Sequence, residues 1–335
     1  MSDGDGDQSP EAGSDDSTGW DVERRITRDP LSKSDPRRAT DAEMGIERIV
    51  TDPPLHEPIL IVMLNGWIDT AGAATAAVDH LTTACESTPI LTFDDDVYVD
   101  YRARRPTMEL RDGLNTNLDW ATIEMRSGRS PGGRDIIFLV GPEPDMAWRR
   151  FGRAVSSLAI EFGVTQMVAL GAYPFAAPHT RAPRLSVSSP STEVLATVDF
   201  ARSSVDVPAG MAGVLEHAMH ARKIPALGIW AQVPHYVSAM EYPAASVALL
   251  EGLDQVTGIS IPGVELRREV DEQRSRLDRM IADNDEHETM VRQLEELHDI
   301  AAEQEAAEGP ADPELELRSG DEIAAEIQEF FRDQK

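Results

Sequence analysis

Pro58-Ile-Leu-Ile-Val-Met-Leu-Asn-Gly-Trp-Ile-Asp-Thr-Ala-Gly72 sets an unbroken apolar run, Ile59–Leu64, between a proline and a Gly-containing loop. A short run without polar alternation reads as a strand buried on both faces, the kind found in parallel sheets covered by helices. After the loop Asn65-Gly-Trp-Ile-Asp69, the small residues of Ala71–Cys85 read as a helix that packs close to such a sheet. One strand, one loop and one helix thus define the repeating unit to look for.

The unit recurs downstream. Ile90–Phe93, Ile136–Val140, Met167–Leu170, Leu185–Ser188 and Ala226–Trp230 read as further strands. Met146–Phe162 places Phe151, Val155, Leu158 and Phe162 on one helical face, and Met211–Ala221 and Ala244–Val256 read as helices. Thr107–Arg111 and Leu118–Met125 alternate apolar with polar and predict a hairpin around an Asp112–Asn117 turn. Repeated strand–helix succession predicts an α/β fold, doubly wound, with a mostly parallel sheet over residues 44–262.

The flanks differ in composition. Residues 1–43 are rich in Asp, Ser, Gly and Arg and predict a disordered acidic leader, because Trp20, Val22 and Ile26 cannot build a core. Residues 263–335 predict a C-terminal helical extension: Leu266, Val270, Leu277, Ile281, Val291, Leu294 and Leu297 form a narrow apolar stripe. Asp283-Asn-Asp-Glu-His-Glu288 interrupts the stripe, either as a hairpin turn or within one long helix. Beyond the linker Gly309–Pro313, Ser319-Gly-Asp-Glu322 is a capping box. It precedes Ile323, Ile327, Phe330 and Phe331, which predict a short amphipathic helix docking on this protein or on a neighbouring subunit.

Charge and cysteine content narrow the function. The 335 residues carry 31 Lys plus Arg against 60 Asp plus Glu, a net charge of −29. Residues 264–335 alone hold 23 acids and 9 bases. Such a field predicts no nucleic-acid or anionic-membrane partner, since either needs a basic footprint. No apolar run approaches the roughly 20 residues that span a bilayer, and no secretory leader pattern opens the chain. With Cys85 as the single cysteine, an internal disulfide is impossible, and a cytoplasmic protein is expected.

Ligands of doubly wound sheets bind outside the carboxyl ends of the strands. The loops there hold the ligand-binding candidates Asn65, Gly66, Trp67, Asp69, Glu143, Tyr173, His179, Arg181, Gln232 and His235. If they form a small-ligand site for a nucleoside, phosphate ester or amide, Asn65 and Asp69 orient the ligand and His179 or Arg181 holds an anion. His235 is then the acid or base. Against an enzyme, neither dinucleotide nor P-loop fingerprints occur, and there is no G-x-S-x-G elbow. Cys85 reads as a packed thiol, His217 and His220 as a surface pair, and Asp94-Asp-Asp96 as a solvated strand end. No cofactor or metal is called for. The dense basic patch Tyr101-Arg-Ala-Arg-Arg-Pro106 makes Tyr101, Arg102, Arg104 and Arg105 candidates for contact with a protein partner, alongside Phe330 and Phe331.

Pro58–Gly72 resembles the opening motif of the proteasome assembly chaperone 2 family in its actinobacterial form. The resemblance continues through Asp100-Tyr-Arg-Ala-Arg-Arg-Pro106, Gly141-Pro-Glu-Pro144, Gly171-Ala-Tyr173, Ile229-Trp-Ala-Gln-Val-Pro-His-Tyr236 and Ser319-Gly-Asp-Glu-Ile-Ala-Ala325. It covers roughly residues 45–335. It implies a nucleoside-phosphorylase-like fold without that fold's catalytic set, a homo-oligomer, and a non-enzymatic role on proteasome α subunits. Those chaperones often end in hydrophobic–tyrosine–any residue; this chain ends Phe330-Phe-Arg-Asp-Gln-Lys335, without the penultimate tyrosine.

Overall fold

The computed structural model describes residues 35–308, with side chains through residue 303. Helix α1 (Arg37–Met44) and strand β1 (Ile46–Arg48) precede β2 (Ile59–Asn65), α2 (Ala73–Ala84), β3 (Thr88–Phe93) and the short α3 (Asp95–Tyr98). Next come β4 (Thr107–Arg111), β5 (Leu114–Asp119), β6 (Glu124–Arg129), β7 (Asp135–Pro142), α4 (Trp148–Glu161) and β8 (Gln166–Phe175). The remainder is β9 (Leu185–Ser188), α5 (Thr192–Leu195), α6 (Met211–His220), β10 (Ala226–Pro234), α7 (Pro243–Thr257), α8 (Val264–Ala282) and α9 (Asp285–Glu308).

The main sheet runs β1-β3-β6-β7-β2-β8-β10-β9. Its centre, β7-β2-β8-β10, is parallel, as the continuous apolar strands require, while β1, β3, β6 and β9 pair antiparallel at the flanks. Side chains alternate between two cores. Ile59, Ile61, Val168, Leu227 and Ile229 face α2 and α7, and Leu60, Val62 and Met167 face α4 and α6. The alanines of α2 let α7 approach so closely that Ser246 Oγ donates to the Ala73 carbonyl at 2.9 Å.

Three boundaries differ from the sequence reading. The β4 partner is Leu114–Asp119, not Leu118–Met125, because Asp112 and Gly113 form a two-residue turn at φ of 51° and 84°. Positive φ at both turn residues is the primed geometry that matches strand twist. Residues 124–125 pair instead with β3 and β7. The segments expected to be strand-end loops around Tyr173 and Gln232 are strand as far as Phe175 and Pro234, in register through Pro234↔Phe175. Pro174 is tolerated because β2 pairs with β8 only as far as Val62↔Ala169, leaving that side of the strand without a ladder to break. Helix α1 occupies part of the stretch expected to be a disordered leader. It is tied down by charge, with Arg48 buried between Asp41 at 2.7 Å and Glu161 at 2.8 Å. The rest of that leader, and the terminal segment with Phe330 and Phe331, lie outside the described residues.

Candidate functional site

The parallel centre brings the ends of β2, β7, β8 and β10 to one edge of the sheet. There the chain uses its own carboxylates where a bound anion would sit. Asp69 accepts from the Ala74 and Thr75 amides at 2.8 and 3.0 Å and from Thr75 Oγ1 at 2.7 Å. It thereby caps the first turn of α2, whose amides have no partner within the helix. Thr75 Oγ1 also lies 3.0 Å from Asn65 Oδ1. The Asn65 carbonyl accepts from the Glu143 amide at 2.6 Å, so the two loops are tied. Glu143 is buried, which raises its carboxyl pKa, and it accepts from the amide of Met211 at the start of α6. The space left between Trp67, Glu143, Met211 and Trp230 is about 30 Å³, the share of one water molecule.

Tyr173 and Gln232 sit opposite each other on β8 and β10. Gln232 Nε2 donates to the Tyr173 hydroxyl at 3.2 Å, and that hydroxyl meets Ser186 Oγ at 3.2 Å. Gln232 Oε1 is buried with no partner among the described residues. Nearby, Trp230 Nε1 donates to Ser188 Oγ, which donates to Glu216 of α6 at 2.9 Å. Burial pushes the Glu216 carboxyl up to about 7. On this helix the sequence reading singled out the surface pair His217 and His220, and both are exposed.

His179 and Arg181 do not face this edge. The His179 ring spans Tyr236 and α8, with Nδ1 at 2.8 Å from the Tyr236 hydroxyl and Nε2 at 3.1 Å from Asp278. Arg181 grips Asp299 of α9 and reaches Glu295 at 3.1 Å, while Thr180 Oγ1 also donates to Glu295. Residues 179–181 thus hold the α8–α9 hairpin. His235 is exposed, edge-on to Tyr236. The residues expected to line one ligand site therefore divide among helix caps, a strand-to-strand polar pair and a hairpin clamp.

The basic patch lies beside the strand ends. Arg104 Nε meets Asp145 at 3.1 Å, and a Cβ on Gly66 would lie 2.6 Å from Arg104 Nη2. Tyr101 packs edge-on against Trp120, centroids 4.9 Å apart, and Arg102 and Arg105 are exposed. From this base the β4–β5 hairpin forms a separate sheet that carries Met108, Leu110 and Leu114 in solvent, Leu114 at 68% exposure. Trp67 (48%) and Met146 add to the exposed apolar groups of this region. The Asp112-Gly113 dipeptide between alternating apolar residues was the available signal for the hairpin. Among the described residues no cluster of His, Cys, Asp or Glu is placed to hold a metal, and no helix is long and apolar enough to cross a membrane.

The PAC2 family model matches residues 63–281. The chain belongs to the PAC2 family. Its match runs from within β2 almost to the end of α8, so it takes in β3 to β10, the helices on both faces and the clamp on Asp278, and leaves out α1, β1 and the start of β2. Among solved structures, the Mycobacterium tuberculosis proteasome-assembly chaperone homologue Rv2125 is 32% identical, with TM-score 0.65, covering 70% of this chain and 99% of that one. A PAC2 family protein from Streptomyces avermitilis is 31% identical, with TM-score 0.64 and the same coverage. The Mycobacterium tuberculosis protein of unknown function Rv2714 is 30% identical, with TM-score 0.71, covering 78% of this chain and 92% of that one. Among curated proteins none matches. In this PAC2 chain the strand-end edge is closed by Asp69 and Glu143, and the exposed apolar groups lie beside it on Trp67 and the β4–β5 hairpin.

Proposed function

We propose that this PAC2 protein is a non-enzymatic, cytoplasmic homo-oligomer that binds proteasome α subunits during their assembly. A related PAC2-fold protein is named as a proteasome-assembly chaperone homologue, which supports a chaperone-like role. The observation that carries the reading is the contrast at the sheet edge. The space between Trp67, Glu143, Met211 and Trp230 is about 30 Å³, whereas Leu110, Leu114 and Trp67 stand in solvent next to Arg102 and Arg105. Exposed apolar groups beside arginines suit a protein partner, because clustered exposed apolar surface marks interaction sites and tryptophan and arginine are enriched at interface hot spots. The test is affinity purification of the tagged full chain from its own host with quantitative mass spectrometry. Enrichment of α subunits, lost in a Leu110→Asp/Leu114→Asp variant, is the expected result. Absence of any enriched protein overturns it.

One observation favours a second reading, a small-ligand site: the buried Gln232 Oε1 has no donor among the described residues. A ligand offering an N–H there would raise the Tm of the wild-type chain and not that of Gln232→Leu. No shift across a panel of nucleosides, phosphate esters and amides removes this reading.

A further inference from the structure

A cavity of about 460 Å³ opens between α7, α8 and the segment 179–183, away from the strand-end edge. Its floor is apolar, built from Ala244, Val247 and Ala248 of α7 with Val270 and Leu277 of α8. Its lining holds Arg181, Arg267 and Arg274 with the carboxylates Glu251 and Asp271, and Asp299 and Glu295 reach Arg181 from α9, so bases are concentrated here in a chain of net charge −29. Arg267 meets Glu251 at 2.9 Å, and Arg274 donates to the Thr180 carbonyl at 3.2 Å. Tyr242, 3% exposed, also lines the cavity. The volume suits a few side chains and is too small for a helix, so an occupant would insert anchors and lie along the rim.

We propose that this groove receives the C-terminal segment of the same chain, Ser319–Phe331, with Ile327, Phe330 and Phe331 as its anchors. The three are spaced i, i+3 and i+4, so on a helix they share one face. Asp321, Glu322, Glu326 and Glu329 of the segment match the arginine rim. Reach is sufficient. Helix α9 returns beside the groove, since Asp299 is bound to Arg181 of the lining. From Asp299 the helix advances only about 14 Å to Glu308. Residues 309–318 can then span up to roughly 33 Å, enough to fold back. The docked segment occupies Phe330 and Phe331, so any partner that uses those side chains must first displace it from α7 and α8.

Disulfide trapping tests this in the full chain, where buried Cys85 is the single native thiol. A Val247→Cys/Phe331→Cys variant is expected to form an intrachain disulfide at least tenfold faster than a Trp67→Cys/Phe331→Cys control on the other face of the sheet. Adding Glu326→Lys/Glu329→Lys, which leaves the groove itself untouched, should slow trapping at least fivefold. A Val270→Cys/Phe331→Cys pair serves if Val247→Cys lowers the Tm. Trapping no faster than the control overturns the proposal. So does a disulfide that joins two chains, which assigns the groove to a second copy.

Discussion

Arg181 holds Asp299 through two N–H···O contacts, Nε at 2.9 Å and Nη2 at 2.8 Å, across 118 residues of sequence. This fork ties the last described helix to the loop that follows β8. It also keeps the Asp299 carboxyl down at about 2, so the contact survives mild acid. Alongside it, His179 on Asp278 and Thr180 on Glu295 make the clamp continuous over three adjacent residues.

Replacing Arg181 with Ala should loosen α9 while sparing the sheet. The expected outcome is at least tenfold faster hydrogen exchange for α9 amides from Leu294 to Ile300, with β2 and β8 unchanged. Arg181→Lys should restore only part of the protection, since an ammonium cannot make the paired contact. Unchanged exchange would mean that buried Leu277, Val291 and Leu294 hold the hairpin alone.

Gly66 and Gly72 test the strand-end loop differently. Gly66 sits at φ 131° with Arg104 Nη2 2.6 Å from where a Cβ would be, whereas Gly72 at φ 64° has nothing within 4 Å. Gly66→Ala is expected to cost on the order of 1–3 kcal/mol from backbone strain alone and to displace Arg104 from Asp145. Gly72→Ala should cost only about 1–2 kcal/mol, the penalty of a left-handed residue in open space. Chemical denaturation of both variants measures the difference. Equal costs would show that Arg104 yields freely.

The fold was legible where apolar runs were continuous. Ile59–Leu64 and the strands after it could only be interior, and the small residues of α2 announced close packing. Contacts carried by charge were not legible, because an acid gives no sign of which amide or base it will meet. Asp69 meets amides five and six residues on, but Glu143 meets Met211 and Arg181 meets Asp299, both far away in sequence. Reading the strand-end polar groups as ligand donors therefore put His179 and Arg181 beside Asn65, when their partners lie on α8 and α9. The same blindness hid α1, whose anchor is the Arg48 ion pair rather than an apolar face.

The β4–β5 hairpin separates stability from partner binding. Leu110 and Leu114 are exposed, so Leu110→Asp/Leu114→Asp should change unfolding free energy by no more than about 0.5 kcal/mol per site. Recovery of protein partners from the native host should nevertheless fall severalfold. Loss of stability together with binding would instead place these leucines in a contact internal to the oligomer.

Glu216 predicts a pH dependence of opposite sign to that of an ion-paired carboxylate. Its folded-state pKa, about 7, stands above the ordinary glutamate value of 4.5 because burial disfavours the charged form. Between those values the unfolded chain releases the proton and the folded chain keeps it, so stability falls as pH rises through this window and levels off above it. The full penalty is roughly 3 kcal/mol. Glu216→Gln removes the titration and keeps an oxygen to accept from Ser188 Oγ. The variant should melt close to wild type at pH 4.5 and roughly 5–10 °C higher at pH 8, the gap opening between the two. A gap that stays constant with pH would mean that Glu216 is already ionised in the folded protein.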